Sequence, residues 1–204
     1  MKPLDRLIQK IRITKAARYV EEGESVLDIG CFDGNLLKQI QSVISEGVGI
    51  DPSIKSETTN QNYSYISDRF PSSKLLNRKF DVITLLAVLE HIPLDAQNDF
   101  AAACYQHLNP NGKLIITVPS PQVDVVLNLL MSVGLVDCIK FEEHYGFEQK
   151  QTIPLFTRHG FILTKHEKFE LGLNNFYLFQ KPKKPKDHCV NLEDTFSNPK
   201  LAKL

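Results

Sequence analysis

The chain has 204 residues, a length that suits one domain with a sizeable hydrophobic core. Its 24 basic and 24 acidic residues give a net charge of zero, which disfavours a nucleic-acid partner, because polyanion binding usually requires a basic excess. Four scattered cysteines form no metal-binding motif and indicate a reducing, cytoplasmic environment. The charged N-terminus is not a signal peptide, no apolar run is long enough for a transmembrane segment, and nothing specifies an oligomeric state.

An amphipathic helix is predicted over residues 1–22, and short apolar runs then alternate with helical patterns. The predicted strands are Ser25–Ile29, Gly47–Ile50, Tyr63–Ile66, Asp81–Leu85 and Lys113–Val118. Helical spacing over Asn35–Ile44 and Leu94–Leu108 predicts helices between them, and hence a doubly wound, mostly parallel sheet. We interpret the first helix as a packing helix with a solvated basic face; the alternative is contact of that face with an acidic substrate or a membrane surface.

The pattern changes near the C-terminus. Phe161–Phe169 and Asn175–Gln180 predict two antiparallel strands joined by the short turn Glu170–Asn174. This hairpin would complete a seven-stranded α/β sheet and end a domain over residues 23–182. Residues 183–204 are charged and contain prolines, and we interpret them as a loosely docked tail.

The first predicted strand leads directly into a glycine-bearing turn, VLDIGCFDG. Glycine lets the backbone of such a turn approach a ligand closely. The spacing is not that of the dinucleotide fingerprint GxGxxG, because Phe32 stands where the second glycine belongs. Asp28, near the end of the strand, would repel a pyrophosphate but suits a ligand that carries an ammonium and a sulfonium. The turn therefore predicts a cationic nucleoside without phosphates.

Acidic residues stand at the ends of three successive predicted strands: Asp28, Asp51 and Asp68. Asp51 comes about 20 residues after Gly30, the distance at which an acidic residue can accept both ribose hydroxyls. Asp68 could accept a hydrogen bond from an adenine amino group. Because ligands of doubly wound sheets bind beyond the carboxyl ends of the strands, these positions predict a nucleoside site at that edge.

Four segments together resemble the successive motifs of class I S-adenosylmethionine-dependent methyltransferases: VLDIGCFDG, GVGIDPS, FDVITLLAVLEHIP and LNPNGKLIITVPSP. They are most similar to the small-molecule branch that includes the ubiquinone and menaquinone methyltransferases. The resemblance covers about Glu24 to Pro121 and the closing hairpin. It implies a Rossmann-like fold, S-adenosylmethionine as cofactor and S-adenosylhomocysteine as product. It also implies the cofactor contacts: Gly30, Cys31 and Gly34 at the methionine part, Asp28 near its amino group, Asp51 at the ribose, Asp68 and the Arg69 backbone at the adenine, and Leu86 and Ala87 along the cofactor.

A general base is needed only when the acceptor atom carries a proton at neutral pH. His91, in LEHIP after the fourth strand, is one candidate; the alternative is that it forms a structural pair with Glu90. His144, in FEEHYGF, is the second candidate, with an ordinary loop as the alternative. Some quinone O-methyltransferases bind a divalent metal through a further glutamate, but that position is Ala87 here, so no metal is predicted.

The favoured function is methyl transfer to a small-molecule acceptor, by O- or C-methylation of a lipid, quinone, phenol or glycan-related compound. The sequence has no D/N-P-P-Y segment after the fourth strand, which disfavours nucleobase amines as acceptors. One alternative is a cofactor-binding regulatory module that keeps the fold without turnover. A nicotinamide dehydrogenase is disfavoured because the GxGxxG fingerprint is missing.

Overall fold

The computed structural model describes residues 3–120 and 148–183. Four helices and seven strands in these ranges are joined by turns and short 3₁₀ segments. In chain order they are α1 (Pro3–Ala17), β1 (Ser25–Ile29), α2 (Asn35–Ile40), β2 (Glu46–Ile50), β3 (Tyr63–Ile66), β4 (Phe80–Leu86), α3 (Gln97–His107), β5 (Leu108–Pro119), α4 (Thr152–Arg158), β6 (Ile162–Phe169) and β7 (Asn174–Gln180). None of the helices described within these ranges is long and apolar enough to cross a bilayer.

The strands form one sheet in the order β3-β2-β1-β4-β5-β7-β6. The first five strands pair in parallel, and β7 is antiparallel to both β5 and β6. The predicted seven-stranded α/β sheet with a C-terminal antiparallel hairpin is therefore confirmed. Strand order reverses between β1 and β4, and the carboxyl ends of these two strands border the crevice in which doubly wound sheets bind ligands.

Both faces of the sheet are covered, as the apolar runs predicted. On one face, Ile13 and Ala16 of α1 pack with α2 and with Val82 of β4. On the other face, Phe100 of α3 and Phe156 of α4 pack against a larger core. The first helix is thus part of the hydrophobic core and not a separate peripheral element.

Three helices are shorter than predicted. The first helix ends at Ala17 rather than at residue 22. The second helix ends at Ile40 rather than Ile44, where the chain bonds to the loop before β1: the Gly23 N–H donates to the Val43 carbonyl at 2.8 Å. The third helix covers Gln97–His107, and the residues after it enter the long strand β5. Apolar periodicity continues past the C-terminal end of α2 and past both ends of α3, so the pattern alone placed these bounds too far out.

The closing hairpin brings a late part of the chain to the carboxyl edge of the parallel strands. Because β7 runs backwards, its first residue, Asn174, pairs with Pro119, the last residue of β5. The turn before it, a 3₁₀ segment over Glu170–Gly172, lies at the same edge. Residues of the hairpin turn therefore lie beside the end of β5, at the same edge of the sheet as the loops that follow β1 and β4.

Candidate cofactor site

The turn after β1 requires glycine at two positions. Gly30 has φ 73°, and a Cβ there would lie 2.4 Å from Val88 Cγ2. Gly34 has φ 69°, and a Cβ there would lie 2.1 Å from the hydroxyl oxygen of Tyr65. The Tyr65 hydroxyl also donates to the Gly34 carbonyl at 2.9 Å, which fixes its ring against the turn. Any larger residue would therefore displace the turn from the sheet.

Phe32 occupies a glycine-like backbone conformation in the same turn. Its φ is 47°, and its side chain is 55% exposed. The Phe32 N–H donates to Oδ2 of Asp51 at 3.0 Å, and the Ser53 N–H donates to Oδ1 at 2.7 Å. Asp51 thus ties the turn to the end of β2, and the path of the turn is kept although a phenylalanine takes the place of glycine.

Asp28 is buried at the centre of this edge. The Thr84 hydroxyl donates to its Oδ1 at 2.6 Å. Burial raises the pKa of Asp28 from 3.8 to about 7; the Thr84 hydrogen bond opposes this, and the nearby charges of Asp51 and Asp33 add to it. A buried carboxylate that is disfavoured in this way is stabilised by a cation, so the site is suited to a ligand with an ammonium group.

The raised pKa of Asp28 predicts a pH-dependent stability. The stability contributed by the protonated carboxyl is fully present below pH 3.8 and is lost as the pH rises through about 7. Asp28→Asn cannot ionise, so it should raise the free energy of unfolding of the ligand-free protein by about 1 to 3 kcal/mol at pH 8, and by less at pH 5. Urea unfolding of both proteins at the two pH values measures this. A difference in the free energy of unfolding between the two proteins that does not change with pH would contradict this prediction.

The structure gathers most of the predicted cofactor residues at one edge. Cys31 is buried, and burial raises the pKa of its thiol, with further contributions from Asp28 and Asp51. Leu86 ends β4 and Ala87 follows it; both are half-buried, and Ala87 adopts φ 59°. Because β4 pairs in parallel with β1, these residues lie at the same edge of the sheet as the turn after β1.

Asp68 and Arg69 follow β3, next along the sheet from β2. The Asp68 carboxylate accepts hydrogen bonds from the Ser72 hydroxyl at 2.6 Å and from the Arg69 N–H at 2.8 Å. The Ser72 hydrogen bond, more than the others, lowers the pKa of Asp68. Asp68 is therefore an ionised acceptor at neutral pH, while the Arg69 N–H is already used within the loop.

The structure describes only one of the two histidines predicted as bases. His91 lies at the end of the 3₁₀ turn Leu89–His91 and is exposed, whereas its neighbour Glu90 is only 3% exposed. His144 lies outside the described residues. Glu90 is thus the buried member of the pair, and both histidines stay predictions.

Three polar residues that the sequence did not single out are linked to Glu90 through the charge of Arg12. The Arg12 guanidinium of α1 acts electrostatically on both Glu90 and Glu170 of the hairpin turn, and Asn174 at the start of β7 donates to Glu170. Arg12 is one of several basic residues on its helix, and the other two stand in a turn, where polar residues are ordinary. Only the packing of α1 and of the hairpin shows that they belong together.

The family model described as a methyltransferase domain matches residues 4–165. The chain belongs to this methyltransferase family. The match includes all but the first residue of α1, every predicted cofactor residue and the first half of β6.

Curated relatives of this methyltransferase match over about half of its length. It is 29% identical over 123 residues to a carboxy-S-adenosyl-L-methionine synthase of Staphylococcus epidermidis, covering 56% of this chain and 53% of that protein. It is 30% identical over 123 residues to a mitochondrial ubiquinone biosynthesis O-methyltransferase of Rattus norvegicus (54% and 35%). It is 33% identical over 106 residues to the ubiquinone biosynthesis O-methyltransferase of Nitrosococcus oceani (47% and 43%). The matches thus span about half of these relatives or less.

Solved structures share the fold of this methyltransferase at low identity. The magnesium protoporphyrin IX methyltransferase from Synechocystis, a structure with bound S-adenosylhomocysteine, superimposes with a TM-score of 0.60 at 14% identity, covering 86% of this chain and 82% of that one. The N-methyltransferase NodS from Bradyrhizobium japonicum gives 0.59 at 13% identity, covering 87% and 98%. These likenesses establish the class I fold.

Proposed function

We propose that this protein transfers a methyl group from S-adenosylmethionine to a small-molecule acceptor, by O- or C-methylation. The observation that carries the proposal is the buried Asp28 carboxyl beside a left-handed glycine turn, at the carboxyl edge of a methyltransferase-family sheet. The relatives named as ubiquinone O-methyltransferases support a small acceptor. The balanced net charge also favours a small molecule over a nucleic acid.

The residues at this edge fit such a cofactor. Asp28 offers a carboxylate whose burial favours a cationic partner, which suits the ammonium group of the methionine part. Asp51 and Asp68 offer carboxylate acceptors for the ribose hydroxyls and the adenine amino group. The full proposed set is Asp28, Gly30, Cys31, Gly34, Asp51, Asp68, Arg69, Leu86 and Ala87. These residues would bind a pyrophosphate poorly, because its negative charges would face three carboxylates.

The bound cofactor supplies an electrophilic methyl group on a sulfonium. The residues of this chain then have two tasks, which are to hold the acceptor in line with that methyl and to exclude water. The walls provided by α1 and by the β6–β7 turn are placed for both tasks, since they border the edge at which Asp28 lies. A general base adds to these where the acceptor is a hydroxyl or a carbon acid.

Thermal unfolding with S-adenosylhomocysteine, and separately with NADH, tests the proposal. A ligand at a hundred times its dissociation constant adds about 2.7 kcal/mol to the free energy of unfolding, which is an easily measured shift. We expect a shift with S-adenosylhomocysteine alone. A shift with NADH alone, or with neither, would contradict the proposal. Tight binding without methyl transfer across a broad acceptor panel would favour the alternative, a regulatory module that binds the cofactor.

A further inference from the structure

Four polar side chains from distant parts of the chain meet beside the cofactor edge. Arg12 comes from α1, Glu90 from the turn after β4, and Glu170 and Asn174 from the end of the hairpin turn. The Arg12 guanidinium acts electrostatically on both carboxyls, and the Asn174 amide donates to Oε2 of Glu170. We call these four residues the polar cluster.

The polar cluster contains buried atoms that lack hydrogen-bond partners. Within residues 3–120 and 148–183, no partner is found for Arg12 Nε, Glu90 Oε2, Glu170 Oε1 or Asn174 Oδ1. Glu90 is 3% exposed and Asn174 is 1% exposed, so these side chains are almost entirely removed from solvent. Buried polar groups are normally paired, because an unpaired one loses its hydration without compensation. One unpaired atom from each of four neighbouring side chains indicates a place for a polar ligand.

The polar cluster is also close to the part of the site where the methionine end is expected. Glu90 comes two residues after Val88, whose side chain touches the turn at Gly30. The Asn174 end of β7 is paired with the end of β5, next to β4. A ligand held by the polar cluster would therefore lie beside the glycine turn, where an acceptor of a methyl group has to be.

We infer that the polar cluster binds the hydroxyl group of a neutral acceptor, and that Glu90 takes the proton from this hydroxyl. The inference rests on the proposed function. A hydroxyl matches the unpaired atoms, because it can donate to Glu90 Oε2 or Asn174 Oδ1 and accept from the Arg12 Nε–H. An anionic acceptor is disfavoured, because it would meet two carboxyls and a single guanidinium.

In the resulting step, a lone pair of the hydroxyl oxygen forms the new O–CH₃ bond. The bond between that methyl carbon and the sulfonium sulfur breaks, and its electron pair stays on sulfur, which becomes a neutral thioether. The hydroxyl proton passes to the Glu90 carboxylate and from there to solvent. The products are a methyl ether, S-adenosylhomocysteine and one proton, so atoms and charge balance.

The ionisation of Glu90 suits this task. Burial raises the pKa of Glu90 to about 7, with the Glu90 backbone hydrogen bond and the charge of Arg12 opposing it. A base with a pKa near the working pH is present as carboxylate and still binds the proton well. Burial also raises the pKa of Glu170, which keeps a second negative charge from forming readily beside Glu90.

The test uses phenol as a neutral hydroxyl probe, because phenol stays protonated well above the pKa of Glu90. The probe is titrated into wild type saturated with S-adenosylhomocysteine, at pH values on both sides of 7. We expect binding that strengthens as the pH rises through about 7, because the hydroxyl donates to the carboxylate form of Glu90. Glu90→Gln, which keeps the shape of the side chain, should remove this pH dependence. Arg12→Met should weaken binding about tenfold or more, whereas Arg6→Met, at an exposed arginine of the same helix, should not change it.

Several results would overturn the inference. One is an equal pH dependence of probe binding in wild type and Glu90→Gln, and another is the loss of this pH dependence in His91→Ala instead. A third is the absence of probe binding in a protein that does bind S-adenosylhomocysteine, which would leave the proposed function intact. If wild type does not bind S-adenosylhomocysteine, the proposed function fails, and the same titration without it still decides whether the polar cluster binds a hydroxyl. Thermal unfolding of each variant checks that it is folded.

Discussion

Gly34→Ala is expected to lower the free energy of unfolding by about 2 to 5 kcal/mol and to remove detectable binding of S-adenosylhomocysteine. Two costs combine at this position. Alanine is strained at φ 69°, and its Cβ would lie 2.1 Å from the Tyr65 hydroxyl and 2.3 Å from Cζ of the same ring. The ring cannot move freely, because it is buried and its hydroxyl is bonded to the Gly34 carbonyl. The glycine turn must therefore shift away from Asp28.

Gly23→Ala is the matched control. Gly23 has φ 82°, but nothing lies within 4 Å of the position of its Cβ, so only the backbone strain applies there. We expect a loss of about 1 to 2 kcal/mol and unchanged affinity for S-adenosylhomocysteine. Urea unfolding and calorimetric titration of both variants make the comparison. Equal losses of stability in the two would show that the contact with Tyr65 contributes nothing.

Asp28→Asn should weaken binding of S-adenosylhomocysteine by about 30-fold or more, because removing one member of a buried charge pair costs about 2 kcal/mol or more. The fold should survive, since the asparagine Oδ1 can still accept the hydrogen bond from Thr84. Loss of affinity in a protein that is at least as stable as wild type separates a ligand contact from a folding defect. Calorimetric titration at pH 8, where Asp28 is largely ionised, gives the dissociation constants.

Asp33→Asn is the control for the loss of negative charge in the same turn. Asp33 accepts hydrogen bonds from Gln9 and Asn35 and is not among the proposed cofactor contacts. Its substitution should change the affinity by less than about fivefold, because charges near the surface are screened. Equal effects of Asp28→Asn and Asp33→Asn would mean that the ligand responds to the general field and not to a contact with Asp28.

Much of the fold could be predicted from the sequence, because buried parallel strands are continuous apolar runs. The run Ser25–Ile29 is β1 to the residue, and the hairpin followed from two strand patterns with a short turn between them. The bounds of the helices could not be predicted as well. The end of α2 at Ile40 depends on a hydrogen bond from Gly23, which belongs to a different loop and leaves no local signal.

The two parts of the candidate site also differ in how well the sequence predicts them. The cofactor residues stand at the ends of successive strands, so chain order and the geometry of a parallel sheet were enough to place Asp28 and Asp51 at one edge. The polar cluster could not be predicted, because Arg12 and Glu170 are separated by most of the chain and meet only through packing. Nor does the sequence show which residue of the Glu90–His91 pair turns inwards. His144 stays a prediction.

Because β7 runs antiparallel to β5, the two parts of the proposed site come from separate segments of the chain. The proposed cofactor contacts come mainly from the early loops after β1, β2 and β3, while the turn before β7 reaches the same edge from the far end of the chain. That turn includes Leu171, which is fully exposed. We expect mutations or insertions there to alter the proposed acceptor site without disturbing the loops that carry the proposed cofactor contacts. The same set of cofactor-binding loops could thus be combined with different hairpin turns, and each turn could suit a different acceptor.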